Sequence, residues 1–219
     1  MTAARTRPYQ RRRKGPVLVV VGVLAVLATI TWTVVLVNAG GAASATTCPV
    51  SEPPAGEVLA DGALDQVAPI PPAAVQVQVL NASGQRGQAS LVAAQLGDLG
   101  FAVQGTDNDP LFPDGNMECY GQLRFGPEGE AAASTLTLVM PCAELVRDGR
   151  QGPAVDVSVG TGFGDLNPGR SARDALDQLA EPGGGTDGAV NADPDAPAAA
   201  PAPPTVDPEL VQQARDASC

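Results

Sequence analysis

Apolar positions follow two patterns along the chain: an unbroken run from Val17 to Val37, and short alternating or helical periods that begin only at Val75. The run holds 21 residues and no charge. As a helix it would be about 31 Å long, close to the roughly 30 Å of bilayer hydrocarbon, and it predicts a single transmembrane helix. Arg11, Arg12, Arg13 and Lys14 precede it and no comparable cluster follows. The positive-inside rule then leaves residues 1–16 as a basic cytoplasmic tail and puts everything beyond about residue 38 outside the inner membrane, with Trp32 at the outer interface. The rival is a cleaved signal peptide at Ala43-Ser44-Ala45, but a signal's apolar region runs about 7–15 residues, so the uncleaved anchor at 17–37 is retained. Ala45-Thr46-Thr47 before Cys48 lacks the residues a lipid-attachment site needs.

Residues 38–72 follow as an extended stalk, semi-rigid because of Pro49, Pro53, Pro54, Pro69, Pro71 and Pro72. Val75, Val77 and Val79 then alternate with Gln76 and Gln78, the period of a half-buried strand. Ala89, Val92, Ala93, Leu96 and Leu99 recur at helical spacing, and Gly100 closes that helix. A second strand is expected at 101–104, a polar exposed loop at 105–118 and a third strand at 121–125. A helix opening at Pro127 presents Ala132, Leu136 and Val139 and ends at Pro141. Val155, Val157 and Val159 predict a fourth strand, and Ser171 is expected to cap a last helix presenting Ala172, Ala175, Leu176 and Leu179.

This order predicts the α+β class: a four-stranded sheet with helices on one face, a split β-α-β arrangement within residues 73–181. Residues 182–219 are too rich in Pro, Ala and Gly to fold, although 209–217 could form a short helix carrying Cys219.

Charge narrows the function. The formal net charge is −11, but six of the 13 cations precede residue 15, so the part beyond residue 38 carries seven cations against 24 carboxylates, a formal −17. Such a balance repels phosphates and speaks against nucleic acid as a partner. The chain has no histidine, which removes the commonest general base and the commonest metal ligand. No metal or cofactor is expected.

Cys48, Cys119, Cys142 and Cys219 are an even count in an oxidising compartment, where structural disulfides are the default. No close Cys-x-x-Cys pair exists for zinc or redox chemistry. Three connectivities are open. The positions suggest Cys119–Cys142 as a staple across one β-α unit and Cys48–Cys219 as a long tie from stalk to tail.

Val77-Gln78-Val79-Leu80-Asn81-Ala82-Ser83-Gly84, then Gly87, the amphipathic helix and Leu99-Gly100-Phe101, resemble the opening of the LytR C-terminal domain of actinobacterial envelope proteins. Gln122 to Gly126 and Val155 to Gly160 are similar to that domain's later strands, so the resemblance covers about 75–163. It implies a part in cell-envelope maintenance. It implies no catalysis, because in LytR proteins the enzymatic part is a separate, preceding domain and no matching position exists here.

Asn81, Ser83, Gly84, Arg86 and Gly87 lie where the first strand turns into the helix. Backbone N–H groups and the helix dipole there could receive a phosphate or carboxylate beside Arg86, or the glycines could merely make the turn. Exposed aromatic rings are the usual platforms for sugars, and Phe112, Tyr120 and Phe163 are the candidates outside predicted strands. Asp107 with Asp109, and Glu128 with Glu130, read as solvated charges and not as hydrolytic pairs. The expectation is a non-enzymatic envelope protein, either an adaptor for other envelope proteins or a direct binder of a wall glycan or glycolipid.

Overall fold

Val77 and Val79 are fully buried while Gln76 stays exposed, as their alternation requires of a strand with one face against a core. The computed structural model describes residues 15–39, 47–181 and 206–216, with the side chains of the first helix described for 20–33. It divides into two compact units, residues 1–41 and 42–219. In the first, helix α1 spans Gly15–Ala39. Among the described residues no helix is long and apolar enough to cross a membrane; the expected span, 17–37, reaches past the described side chains at both ends.

The second unit contains β1 (Glu57–Val58), β2 (Gln76–Asn81), α2 (Gln88–Asp98), β3 (Ala102–Asn108), β4 (Gly121–Phe125), α3 (Glu130–Leu136), β5 (Glu144–Arg147), β6 (Val155–Val159), α4 (Arg170–Ala180) and α5 (Pro208–Arg215). The sheet has six strands, not four, in the order β1-β5-β4-β6-β2-β3. β2 runs parallel to both β3 and β6, β4 runs parallel to β5, and β4 pairs antiparallel with β6. The strand after α3 is therefore β5 and not β6. β6 returns between the two halves.

One face of the sheet carries Val77, Val79, Leu123, Phe125, Val155, Val157 and Val159, which share a core with Ala89, Val92 and Leu96 of α2, Leu136 of α3 and Leu176 and Leu179 of α4. Each such large side chain contributes about 1.5–3 kcal/mol by leaving water. α2 ends as its sequence requires: Gly100 takes a left-handed φ of 87° and the Phe101 N–H donates to the Leu96 carbonyl at 3.0 Å, which closes the last turn. α4 begins one residue before Ser171, with Gly169 as its cap, so Ser171 lies inside the first turn and makes no capping bond.

The other face is polar, with Gln122, Arg124, Asp156 and Ser158 in register across β4 and β6. Coil covers much of it. A small cluster of Cys48, Ala82, Phe112, Met117 and Cys119 forms there, and Cys48 and Cys119 are joined in a disulfide. This corrects the expected pairings Cys119–Cys142 and Cys48–Cys219. Cys119 sits at the start of β4 on the side where residue 48 crosses the sheet, and the Cys48 N–H reaches Glu144 at 3.2 Å. Cys142 is also disulfide-bonded; Cys219 lies outside the described residues.

The stretch expected to be a free spacer lies against this fold. Leu64 is buried in the core and β1 extends the sheet. α5, expected within an unfolded tail, also packs: Val211 and Ala214 join the core.

Candidate functional site

The turn after β2 uses its own polar groups. Asn81 Oδ1 accepts from the Ser83 N–H at 3.1 Å and from the Ser83 hydroxyl at 2.9 Å, Asn81 Nδ2 donates to the Gln85 carbonyl at 2.8 Å, and Ser83 Oγ accepts from the Gln85 N–H at 3.1 Å. The Ser83 hydroxyl also bonds Gln88 Oε1, whose amide nitrogen donates to the Phe163 carbonyl at 3.3 Å. Gly84 and Gly87 hold φ values of 72° and 84°, conformations that favour glycine. Gly87 itself is the cap of α2, with no side-chain capping bond.

Beside this turn, at the carboxyl ends of the parallel strands β2 and β3, lies an open depression of about 170 Å³ bordered by Asn81, Gly87, Ala89, Ser90, Thr106, Asp107 and Asn108. This is where open α/β sheets receive ligands, and Ala89 and Ser90 in the first turn of α2 border it. The structure brings Asn81 and Gly87 to it and leaves Arg86 exposed outside it. The carboxylate of Asp107 on its rim opposes an anion. Sequence reasoning missed Asp107 and Asn108 as neighbours of the turn, because β3 continues four residues past the expected strand end.

The three aromatic candidates are packed inside the fold. Phe112 and Phe163 are buried, and the Tyr120 and Phe163 ring centroids are 4.9 Å apart. Phe112 lies under Arg124, whose guanidinium carbon is 5.8 Å from the ring centre. None of these rings offers an open platform. Burial first, and Asp165 second, push the Tyr120 phenol up to about 12. An unfolded chain releases that proton near pH ~10, so the contribution is complete below that pH and is lost as pH rises through the folded value. Denaturation midpoints should fall between about pH 10 and about pH 12, and Tyr120→Phe should remove that part of the fall.

Asp109 also departs from the expected solvated charge. It is sealed against Arg124, with contacts of 2.8 and 3.0 Å, and it accepts from the Leu111 N–H at 2.9 Å and from the Ser158 hydroxyl. Arg124 Nε donates to Gln122 at 2.9 Å and Gln122 to Glu144 at 2.7 Å, so one buried polar chain runs from the loop after β3 to β5. Glu130 pairs with Arg147. Hydrogen bonding to Asp156 holds the Arg150 guanidinium above its ordinary value, against the lowering effect of burial, and Asp148 adds to it. Among the described residues no cluster of three or more His, Cys, Asp or Glu could hold a metal.

The second polar junction lies at α5. Arg215 donates to the Ser134 hydroxyl at 2.7 Å, to Thr137 Oγ1 at 3.3 Å and to the Asp65 carbonyl at 3.1 Å. Burial lowers the pKa of Arg215, with the Asp65 carboxylate acting against that. Two open cavities flank this side chain, about 420 Å³ on one side and about 310 Å³ on the other.

Residues 74–163 match the family described as LytR cell envelope-related transcriptional attenuator. The chain is 40% identical over 167 residues to the cell envelope integrity protein Cei of Mycobacterium tuberculosis, covering 73% of this chain and 77% of that one. The fold is similar, with a TM-score of 0.60 and 36% identity, to the crystal structure of the soluble domain of a conserved hypothetical secreted protein from Mycobacterium marinum, covering 75% of this chain and 98% of that one.

Proposed function

The chain belongs to the LytR cell envelope-related transcriptional attenuator family, and from that premise we propose that it is a membrane-anchored, non-enzymatic protein that acts outside the membrane as an adaptor for other proteins of the cell envelope. Its relative in Mycobacterium tuberculosis is named for cell-envelope integrity, which supports the envelope role. Support for the anchor comes from the uncharged run 17–37 behind its basic cluster. It also comes from the hydroxyls of Thr29, Thr31 and Thr33, which donate back to the carbonyls of Val26, Leu27 and Thr29 and so leave none of these hydroxyls unbonded toward lipid.

The observation that carries the adaptor reading is the open edge of the sheet. β3 is terminal and seven residues long, pairs among the described residues only with β2, and has Gln104, Thr106 and Asp107 exposed. An edge of that length offers unpaired backbone groups to an extended segment of another protein, whereas the opposite edge, β1, has only two residues. A photocrosslinking residue at Gln104, in the full chain in its native membrane, should yield a discrete protein adduct. Thr106→Lys, which blunts the edge, should abolish that adduct without changing the protein's abundance. Adducts identical to those from a crosslinker at Gln213, on α5, would refute the edge as the docking site.

A further inference from the structure

Thr106 and Asn108, on the open edge strand β3, border the depression of about 170 Å³ that Ala89 and Ser90 of α2 also border. A strand added beside β3 sets its side chains about 4.5–5.5 Å from those opposite, so the residue facing Thr106 would bring its side chain to this depression. The room suits one side chain, since a cavity of about 150 Å³ admits benzene.

The lining offers donors and an acceptor together. The N–H groups of Ala89 and Ser90 lie in the first turn of α2, where no carbonyl within the helix reaches them, and no side chain caps that turn. Asp107 gives one carboxylate oxygen to the Asn108 N–H at 2.7 Å, and among the described residues the other has no donor. The hydroxyls of Ser90 and Thr106 serve in either sense. We propose that the partner segment pairing with β3 carries an asparagine or glutamine whose carboxamide fills this depression, an inference that rests on the edge reading above. A carboxamide has a carbonyl for the helix donors and an NH2 for Asp107. A carboxylate would meet Asp107, an ammonium would meet the positive end of α2, and an apolar side chain would leave both sets unpaired. The segment is therefore selected by a neutral dipole and not by net charge. A second copy of this chain is the wrong occupant, because it would set one formal −17 against another.

The test uses the oxidised full chain in a polyoxyethylene detergent with threonine-rich octapeptides, which favour an extended backbone, varied at one central residue. By fluorescence anisotropy the Gln and Asn peptides should bind about tenfold more tightly than those with Glu, Lys or Leu, the worth of two ordinary hydrogen bonds. Ser90→Leu fills the depression with a good helix former, and should erase the preference while the peptides still bind. Thr106→Lys should abolish binding of every peptide. Near-ultraviolet circular dichroism of both variants should match the parent's, because both positions are exposed. Peptides that bind at the edge with no preference for Gln or Asn would overturn this inference alone. No peptide binding, or binding that survives Thr106→Lys, would overturn the edge reading with it. A concentration-dependent dimer in sedimentation, lost with Thr106→Lys, would overturn it in favour of a second copy.

Discussion

Arg124→Met should lower the unfolding free energy of the compact unit, residues 42–219, by about 3–5 kcal/mol, the range for removing one partner of a buried ion pair. The side chains of Arg124 and Asp109 are 3% and 0% exposed, so the carboxylate left behind has no water to turn to. Its remaining donors are the Leu111 N–H and the Ser158 hydroxyl. The loss is a stranded charge, and removing that charge should restore much of the stability. Asp109→Asn combined with Arg124→Met keeps an acceptor for the Leu111 N–H and should recover most of the difference. Guanidinium denaturation with unchanged slope would measure it. If the double variant is as unstable as the single, the pair acts through packing against Phe112 and not through charge.

The second large effect belongs to the disulfide. Cys48 and Cys119 are 71 residues apart, and closing a loop of that length removes about 4 kcal/mol of chain entropy from the unfolded state. Cys48→Ser and Cys119→Ser should each lose that amount, and the double variant no more than either alone, because one bond is removed in all three. Peptide mapping under non-reducing conditions should join the Cys48 and Cys119 peptides. Cys142 is disulfide-bonded as well, so its peptide should also migrate as a crosslinked species before reduction. Recovery of a Cys119–Cys142 peptide would contradict the fold as described.

What could be read in advance follows from which elements bury one face. β2, α2, β4, α3, β6 and α4 each place large apolar residues against the common core, so their periods show plainly in the sequence. β5 has four residues and β1 two, too few to display a period, so the sheet came out two strands short. β3 looked like loop beyond residue 104 because it is a solvated edge whose residues need not be apolar. Arg124 alternates with Leu123 and Phe125 and so reads as solvent-facing; only the loop carrying Asp109 and Phe112, folding back over that face, buries it. The turn at Asn81, Ser83, Gly84 and Gly87 is legible because a strand must pass there into a helix, and the side chains of Asn81 and Ser83 bond within that turn and to Gln88. The junction at Arg215 is invisible in the sequence because it joins Asp65 to Arg215, 150 residues apart, through a helix expected to lie in an unfolded tail.

The Cys48–Cys119 bond also sets how the protein answers to pulling. Tension applied to the chain ahead of Cys48 enters the folded unit at that residue and passes covalently to Cys119, directly before β4. The chain between them, spanning a sequence separation of 71 and about 240 Å if extended, is held out of the force path. β1, β2, α2 and β3 all lie within that shielded segment. Stretching can therefore peel the later strands while this segment keeps its length, and a reductant would convert a short, stiff tether into a long, compliant one.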